Sequence, residues 1–341
     1  MAEWDLLQRL CAAYGVSGQE DAVRDIILKE ISPYATETRV DALGNLLAYK
    51  KGRKSAPVRL MLSAHMDEVG LLITHITEEG LLRFAPVGGI DKRVLCGRRV
   101  QVGGHVGVIG AKPIHLLKSE ERGKAVPMDE MFIDIGASSR EEAQEAVSPG
   151  DAAGFVSPFD TSGGRICGRA LDDRAGCALL MEMLREELPY DMTFVFCVQE
   201  EVGLRGSKTA AFAVEPQAAI VVETTTAADI AGVDEGEQVC RLGKGPVVSF
   251  MDRATIYDRE YTRLAFALAK EQGIPCQAKE AVAGGNDAGA IHVSRGGVRT
   301  IAVSLPCRYL HSAAGMIHQE DFRAAGRLIP ALAENIAGGA V

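Results

Sequence analysis

Ten residues in the second half of the chain, Phe194-Val195-Phe196-Cys197-Val198-Gln199-Glu200-Glu201-Val202-Gly203, run an apolar stretch straight into two adjacent carboxylates and a glycine. Phe and Val at this density fit a buried strand. Two ionised Glu side chains at its end would stand half out of water, which is costly unless a cation meets them. Successive residues of an extended chain point to opposite sides, so Glu200 and Glu201 can do different jobs. One carboxylate can sit on a metal and its neighbour on the water that metal activates. A strand end carrying two ordinary surface acids is the plain alternative, and the rest of the chain decides between them.

The same construction recurs. Val58 to Gly70 is an apolar strand that delivers His65 and, two residues on, Asp67. That spacing puts both side chains on one face, as a metal-bound imidazole with a carboxylate on its other nitrogen requires. Gly168 to Gly176 carries Asp172 and Asp173 where a helix with Ala178, Leu179, Met183 and Leu184 begins, a place that favours acids. Another helix is expected over Ser207–Val214, and then Ala218 to Glu223 makes a further strand ending in an acid. Three successive elements thus bring carboxylates to the edge where open α/β sheets bind ligands. Beyond Arg259–Gln272 (a helix), the Gly284–Gly289 loop and a strand over Val298–Leu305, His311 arrives in Arg308-Tyr309-Leu310-His311-Ser312. A terminal helix over about Glu320–Ala337 is expected to close the domain.

The flanking segments read as scaffold. Leu6, Leu7, Leu10 and Ala13 predict a helix closed by Gly15. Ser17-Gly18-Gln19-Glu20 has the form of a capping box opening a second helix, with Val23, Ile26, Ile27 and Ile31 as its stripe. A hairpin follows, with strands Thr38–Val40 and Leu46–Tyr49. From about residue 71 to 159 short strand-like pieces alternate with glycine-rich turns, a polar loop Lys118–Lys124 and a short helix Arg140–Ala146. This predicts a β-rich unit, PDZ-like or barrel-like, inserted into an α/β domain formed by 1–70 and 160–341. His75, His105, His115, His292 and His318 have no acids in a matching pattern and are expected to be structural or surface residues.

A net charge of −9 makes nucleic acid an unlikely partner. No apolar run approaches the roughly 20 residues of a membrane span. The start, Met1-Ala2-Glu3, has neither the basic nor the apolar region of a secretory signal. The eight cysteines are scattered without a CxxC, as expected of reduced thiols in a cytoplasmic protein.

His65, Asp172, Glu201, Glu223 and His311, with Asp67 and Glu200 beside them, make a set that suits one or two Zn²⁺, Co²⁺ or Mn²⁺ ions in a hydrolytic site. The order Ala-His-Met-Asp-Glu-Val-Gly, Leu-Asp-Asp-Arg-Ala-Gly, Gln-Glu-Glu-Val-Gly-Leu-Arg-Gly and Arg-Tyr-Leu-His-Ser resembles the M42 metallo-aminopeptidases. The resemblance extends through Pro86–Asp91 and Phe132–Ala137 of the inserted segment and covers nearly the whole chain.

That resemblance implies a zinc-peptidase fold of the α/β class, with a mixed sheet and an inserted dimerisation domain. It implies a co-catalytic dinuclear aminopeptidase that removes N-terminal residues from short peptides. Asp172 would bridge two divalent ions, His65 and Glu223 completing one and Glu201 and His311 the other. Glu200 would be the general base and Asp67 the orienter of His65, and a cis peptide is expected at Asp172–Asp173. The implied assembly is a homo-oligomer of dimers, up to a tetrahedral dodecamer. Two positions depart from the pattern: Glu223, where Asp is common in the wider clan, and Asn286, where Thr is common. A metal-dependent deacylase or carboxypeptidase is the nearer rival. A glycoside hydrolase is the more distant one, since paired carboxylates alone leave His65 and His311 unexplained.

Overall fold

The computed structural model describes residues 3–120 and 122–340. Met1 and Ala2, where no secretory signal is expected, and Glu121 of the polar loop lie outside the described residues. Helices α1 (Asp5–Ala12) and α2 (Asp21–Ile31) lead into the hairpin β1 (Glu37–Val40) and β2 (Leu46–Lys50), then β3 (Leu60–His65). Next come β4 (Gly70–Ile76), β5 (Leu82–Val87), β6 (Arg99–Val102), β7 (His105–Gly110), β8 (Phe132–Asp134), α3 (Arg140–Gln144) and β9 (Ala152–Phe155). The chain continues through β10 (Arg165–Gly168), α4 (Leu171–Arg185), β11 (Met192–Cys197), α5 (Arg205–Val214) and β12 (Ala218–Thr226). It ends with β13 (Val247–Val248), α6 (Arg259–Glu271), β14 (Gln277–Ala278), α7 (Ala288–Ile291), β15 (Arg299–Cys307), β16 (Gly315–His318) and α8 (Gln319–Ala337).

One eight-stranded mixed sheet has the order β1-β2-β11-β3-β12-β15-β13-β14. Its four central strands are mutually parallel, while β2 and β13 join them antiparallel. Helices cover both faces, so the central strands are apolar on both sides, as their sequences require. Leu62, Phe194, Phe196, Ile220 and Val222 pack under α1, α2, α4 and α8. Their neighbours Met61, Val195, Cys197, Ala219 and Val221 pack under α5 and α7. The period-2 alternation sorts each strand's side chains between the two helical layers.

β4 to β9 form a closed barrel, order β4-β5-β8-β7-β6-β9. It has its own buried cluster around Leu71, Ile73, Leu82, Val100, Ile133 and Phe155. Of the two expected forms of the inserted segment, this is the barrel. β10 and β16 make a small separate antiparallel pair. All eight cysteines are unpaired, and among the described residues no helix is long and apolar enough to cross a membrane.

Two local expectations fail. α1 ends at Ala12, with Ala13 already extended; Gly15 does not close it but donates its N–H to Glu68 Oε1 at 2.9 Å. The capping box at Ser17–Glu20 is not one. Glu20 is itself the residue before α2 and its side chain makes no cap bond. The reason is competition: Ser17 and Glu20 are both engaged by distant parts of the chain.

Candidate metal centre

The four parallel strands all point their carboxyl ends at one edge of the sheet. β3 ends on His65, with Asp67 just beyond. β11 runs into Glu200 and Glu201, β12 carries Glu223 near its end, and β15 leads to His311. Asp172 enters from the start of α4, where Ala170 is left-handed (φ 52°) and the Asp172–Asp173 peptide is cis, as expected.

These residues converge. His65 Nε2 lies 3.2 Å from Asp172 Oδ1 and 3.4 Å from Glu223 Oε1. His311 Nε2 lies 3.4 Å from Asp172 Oδ2 and 3.2 Å from Glu201 Oε2. The two oxygens of one aspartate therefore face two separate imidazole–carboxylate pairs. Glu200 Oε2 stands beside this cluster, 4.0 Å from His65 Nε2. All seven residues singled out in the sequence are present in or against it. The five histidines set aside are elsewhere: His75, His105 and His115 are exposed, His292 Nδ1 bonds Ala288 O, and His318 caps the start of α8.

Asp67 ties the two key strands together. Its Oδ1 accepts from the Glu200 N–H at 2.9 Å, and its Oδ2 accepts from the Glu201 N–H at 3.1 Å and from the Ser17 hydroxyl at 2.6 Å. Its main-chain oxygen lies 3.1 Å from His65 Nδ1, closer than its own carboxylate at 3.4 Å. An acceptor at Nδ1 selects the tautomer that leaves Nε2 free for the cluster. Burial alone would raise the Asp67 pKa, but His65 and these donors outweigh it and hold the carboxyl below its usual range.

The electrostatics of the cluster suit a cation. Burial, reinforced by Asp172, pushes Glu201 up to about 8. Burial pushes Glu223 likewise up to about 8 against the pull of His65. Glu200 is driven well up by burial. His65 is driven down by burial, yet Glu223, Asp172 and Asp67 prevail and hold it well above an ordinary imidazole. Ionised carboxylates at this density in low dielectric are costly, and a bound divalent cation would offset that cost.

Four residues outside the ligand set expected from the sequence hold the cluster in place. Asp173 is wholly buried and accepts from the N–H groups of His65 (3.3 Å) and Gly176 (3.0 Å). A Cβ on Gly176 would come within 2.4 Å of that carboxylate, so only glycine fits. Glu68, next to Asp67, pairs with the buried guanidinium groups of Arg169 and Arg174. The two arginines also donate to the carbonyls of Leu10, Cys11 and Ala13 at the end of α1. Adjacency to the motif residues is the signal that marked them; their long-range partners are invisible to spacing rules. The mouth of the cluster is a cavity of about 230 Å³, lined further by Thr224–Thr226, Lys279, Gly284–Asn286, Ser304 and Leu310.

Comparison with known proteins gives a consistent result. The family model described as M42 glutamyl aminopeptidase matches residues 44–328. The lysyl aminopeptidase of Pyrococcus furiosus is 35% identical over 347 residues, 98% of each chain. A TET aminopeptidase from a marine sediment thaumarchaeon superposes with a TM-score of 0.93 at 38% identity, covering 97% of this chain and 96% of the other. The TET1 peptidase of Pyrococcus horikoshii, which can assemble into a tetrahedron or a large octahedral shell, is 40% identical with a TM-score of 0.85, covering 96% and 98%.

Proposed function

The chain belongs to the M42 glutamyl aminopeptidase family and is a metal-dependent aminopeptidase, and from that premise we propose a dinuclear site and a division of labour within it. The observation that carries the proposal is Asp172, whose two oxygens face His65 with Glu223 on one side and His311 with Glu201 on the other. Imidazoles and carboxylates without thiolate suit Zn²⁺, with Co²⁺ or Mn²⁺ as alternatives. His65, Asp172 and Glu223 would hold one ion, and His311, Asp172 and Glu201 the other. Such a pair, when bound, makes water acidic and polarises a scissile carbonyl.

The protein's own groups do the rest. Glu200 makes no contact that commits it to the ligand set, and it takes the proton of the attacking water and returns it to the leaving amine. Asp67 fixes the His65 ring from behind and, through the N–H groups of Glu200 and Glu201, sets where both carboxylates begin. The cavity, of about 230 Å³, is of a size for the first residue of a peptide.

Residues 71–159 would form an inserted dimerisation domain, with 1–70 and 160–341 as the catalytic domain. Exposed Val106 and Val108 on the barrel, with Ile114 and Leu116 beyond them, offer an apolar contact surface. Dimers would build a larger homo-oligomer, up to a tetrahedral dodecamer as in TET relatives. Eight free cysteines fit a cytoplasmic location. The deacylase, carboxypeptidase and glycosidase readings are not favoured, because the curated relatives that span nearly the whole chain are named aminopeptidases. A peptide panel with free and blocked N-termini, assayed before and after chelation and cation return, tests the reading. Turnover confined to free N-termini and abolished by chelation is expected; cleavage of blocked peptides, or indifference to chelator, would overturn it.

A further inference from the structure

Asn286 lines the cavity and is 5% exposed, and its hydrogen bonds fix which way its amide points. Oδ1 accepts the Ala288 N–H at 2.9 Å. A main-chain N–H can only donate, so that atom is the oxygen. Nδ2 lies 3.0 Å from the hydroxyl of the buried Tyr257. Tyr257 has one proton to give, and a carboxylate oxygen, Oδ2 of Asp252, takes it; Asn286 Oδ1, at 3.4 Å, is the weaker acceptor. Burial, and then Asp252, hold the phenol well above its ordinary pKa, so that proton stays in place. The protons therefore run one way, from Asn286 to Tyr257 to Asp252.

An amide nitrogen carries two N–H groups, and Tyr257 uses one. Among the described residues the other meets no acceptor, although a buried donor left unpaired is costly. It is also held still. Asp252 Oδ1 takes the N–H groups of Ala254 and Thr255 at 2.8 and 2.7 Å, which closes the turn ahead of Tyr257. The Arg253 N–H in that turn donates to Gly284 O at 3.0 Å. Ala254 packs so tightly on the loop that a Cβ on Gly289 would come within 2.7 Å of its methyl. The turn thus clamps residues 284–289 against the cavity, and a donor fixed in advance is what a developing negative charge uses best.

The acceptor follows from what a peptide brings. Its terminal ammonium offers only donors, and its first side chain varies. The acceptor that every first residue supplies is its carbonyl oxygen, on which negative charge develops during hydrolysis. Glu200 lines the same enclosed space of about 230 Å³, so this donor and the proposed base act on one residue.

We propose that Asn286 is a catalytic residue whose free N–H donates to the carbonyl oxygen of the scissile bond, most strongly as that oxygen becomes an oxyanion. The inference rests on the aminopeptidase reading and adds to it an oxyanion donor from outside the carboxylate–imidazole cluster.

The test compares amino-acid anilides with thioanilides in which sulfur, a weak acceptor, replaces the scissile carbonyl oxygen. The cation-loaded wild type is set beside Asn286→Leu, Asn286→Ala and Tyr257→Phe, with melting temperature and cation content measured on each. Both Asn286 variants should lose about 10²-fold or more in kcat on the anilides, with KM within about threefold. Their penalty for sulfur in kcat/KM should be at least about tenfold smaller than that of the wild type, because the group that told oxygen from sulfur is gone. Tyr257→Phe leaves Asn286 its Ala288 anchor and its donor, and should keep the wild-type penalty within about threefold. An equal sulfur penalty in the wild type and the Asn286 variants overturns the proposal and makes Asn286 a mere support of its loop. So does the same collapse of the penalty in Tyr257→Phe, which would trace the effect to packing. Turnover of no anilide by the wild type would overturn the aminopeptidase reading along with it.

Discussion

Ser17 donates a 2.6 Å hydrogen bond to Oδ2 of Asp67, fifty positions along the chain. The hydroxyl therefore helps hold the carboxylate that positions His65, Glu200 and Glu201. Ser17→Ala should leave Asp67 with its two N–H donors and loosen it without unfolding the chain. A hydrogen bond to a charged group is worth about 1.5–3 kcal/mol, so a tenfold or greater fall in kcat is expected, with KM little changed. Stopped-time assays with metal content measured in parallel would show it. An unchanged kcat would mean that Asp67 is held by the backbone donors alone.

Glu200 and Glu201 should fail differently. Glu200→Gln keeps every ligand, so both cations should still bind while kcat falls by about 10²–10⁴-fold, the usual size of lost general-base catalysis. Glu201→Gln should lose metal first and recover part of its activity in excess Zn²⁺ or Co²⁺. Elemental analysis and kcat on an unblocked peptide separate the two. The reverse pattern would show that the roles are exchanged.

The cation-free protein should become less stable as pH rises. Glu201 and Glu223, pushed up to about 8, hold protons in the folded state that the unfolded chain has released above the ordinary carboxylate range. His311, which burial alone would lower, is raised by Asp172 and Glu201 to about 9. Both shifts run the same way: the folded state binds more protons, so stability is lost as pH climbs from the unfolded to the folded values. Melting temperature of the chelated protein should fall from about pH 5 to about pH 9, and saturating Zn²⁺ should flatten that slope. A rising melting temperature over this range would contradict the proton inventory of the cluster.

Glu68→Gln should cost stability more than catalysis. It removes the anion from two buried guanidinium groups, a kind of change that typically costs about 3–5 kcal/mol. Denaturant midpoints should drop accordingly, while the molecules that remain folded keep both cations. A variant as stable as the wild type would show that the carbonyls of Leu10, Cys11 and Ala13 satisfy the arginines unaided.

The candidate ligand set is legible because each member lies at or within a few residues of the end of a strand or the start of a helix, where apolar patterning announces the element and the odd polar residue stands out. His65, Glu200 and Glu223 are all of this kind. What escaped were groups whose meaning lies in a distant partner. Ser17 and Glu20 fit a local capping rule, yet one bonds Asp67 and the other accepts from Gly18 and Gln199. Asp173 looked like a second cap, but one of its two backbone donors is His65, 108 positions away. The two-residue strands β13 and β14 are too short for any periodicity to show, although Lys279 of the cavity wall follows directly on β14.

The barrel begins at Gly70, shortly after Asp67, and ends at Phe155, ahead of β10 and the Asp172 turn, and its first and last strands pair Leu71 with Ala153 and Leu72 with Ala152. His65 and Asp172 are 107 positions apart in sequence, a span whose closure would carry a large loop entropy if the intervening chain were free. With the barrel closed, that excursion counts for the rest of the protein as little more than a tight turn. The Glu68–Arg169 ion pair sits across its neck. In the proposed centre, cation affinity would therefore draw on the pairing of two strands that contribute no ligand, and loosening β4 from β9 would weaken it.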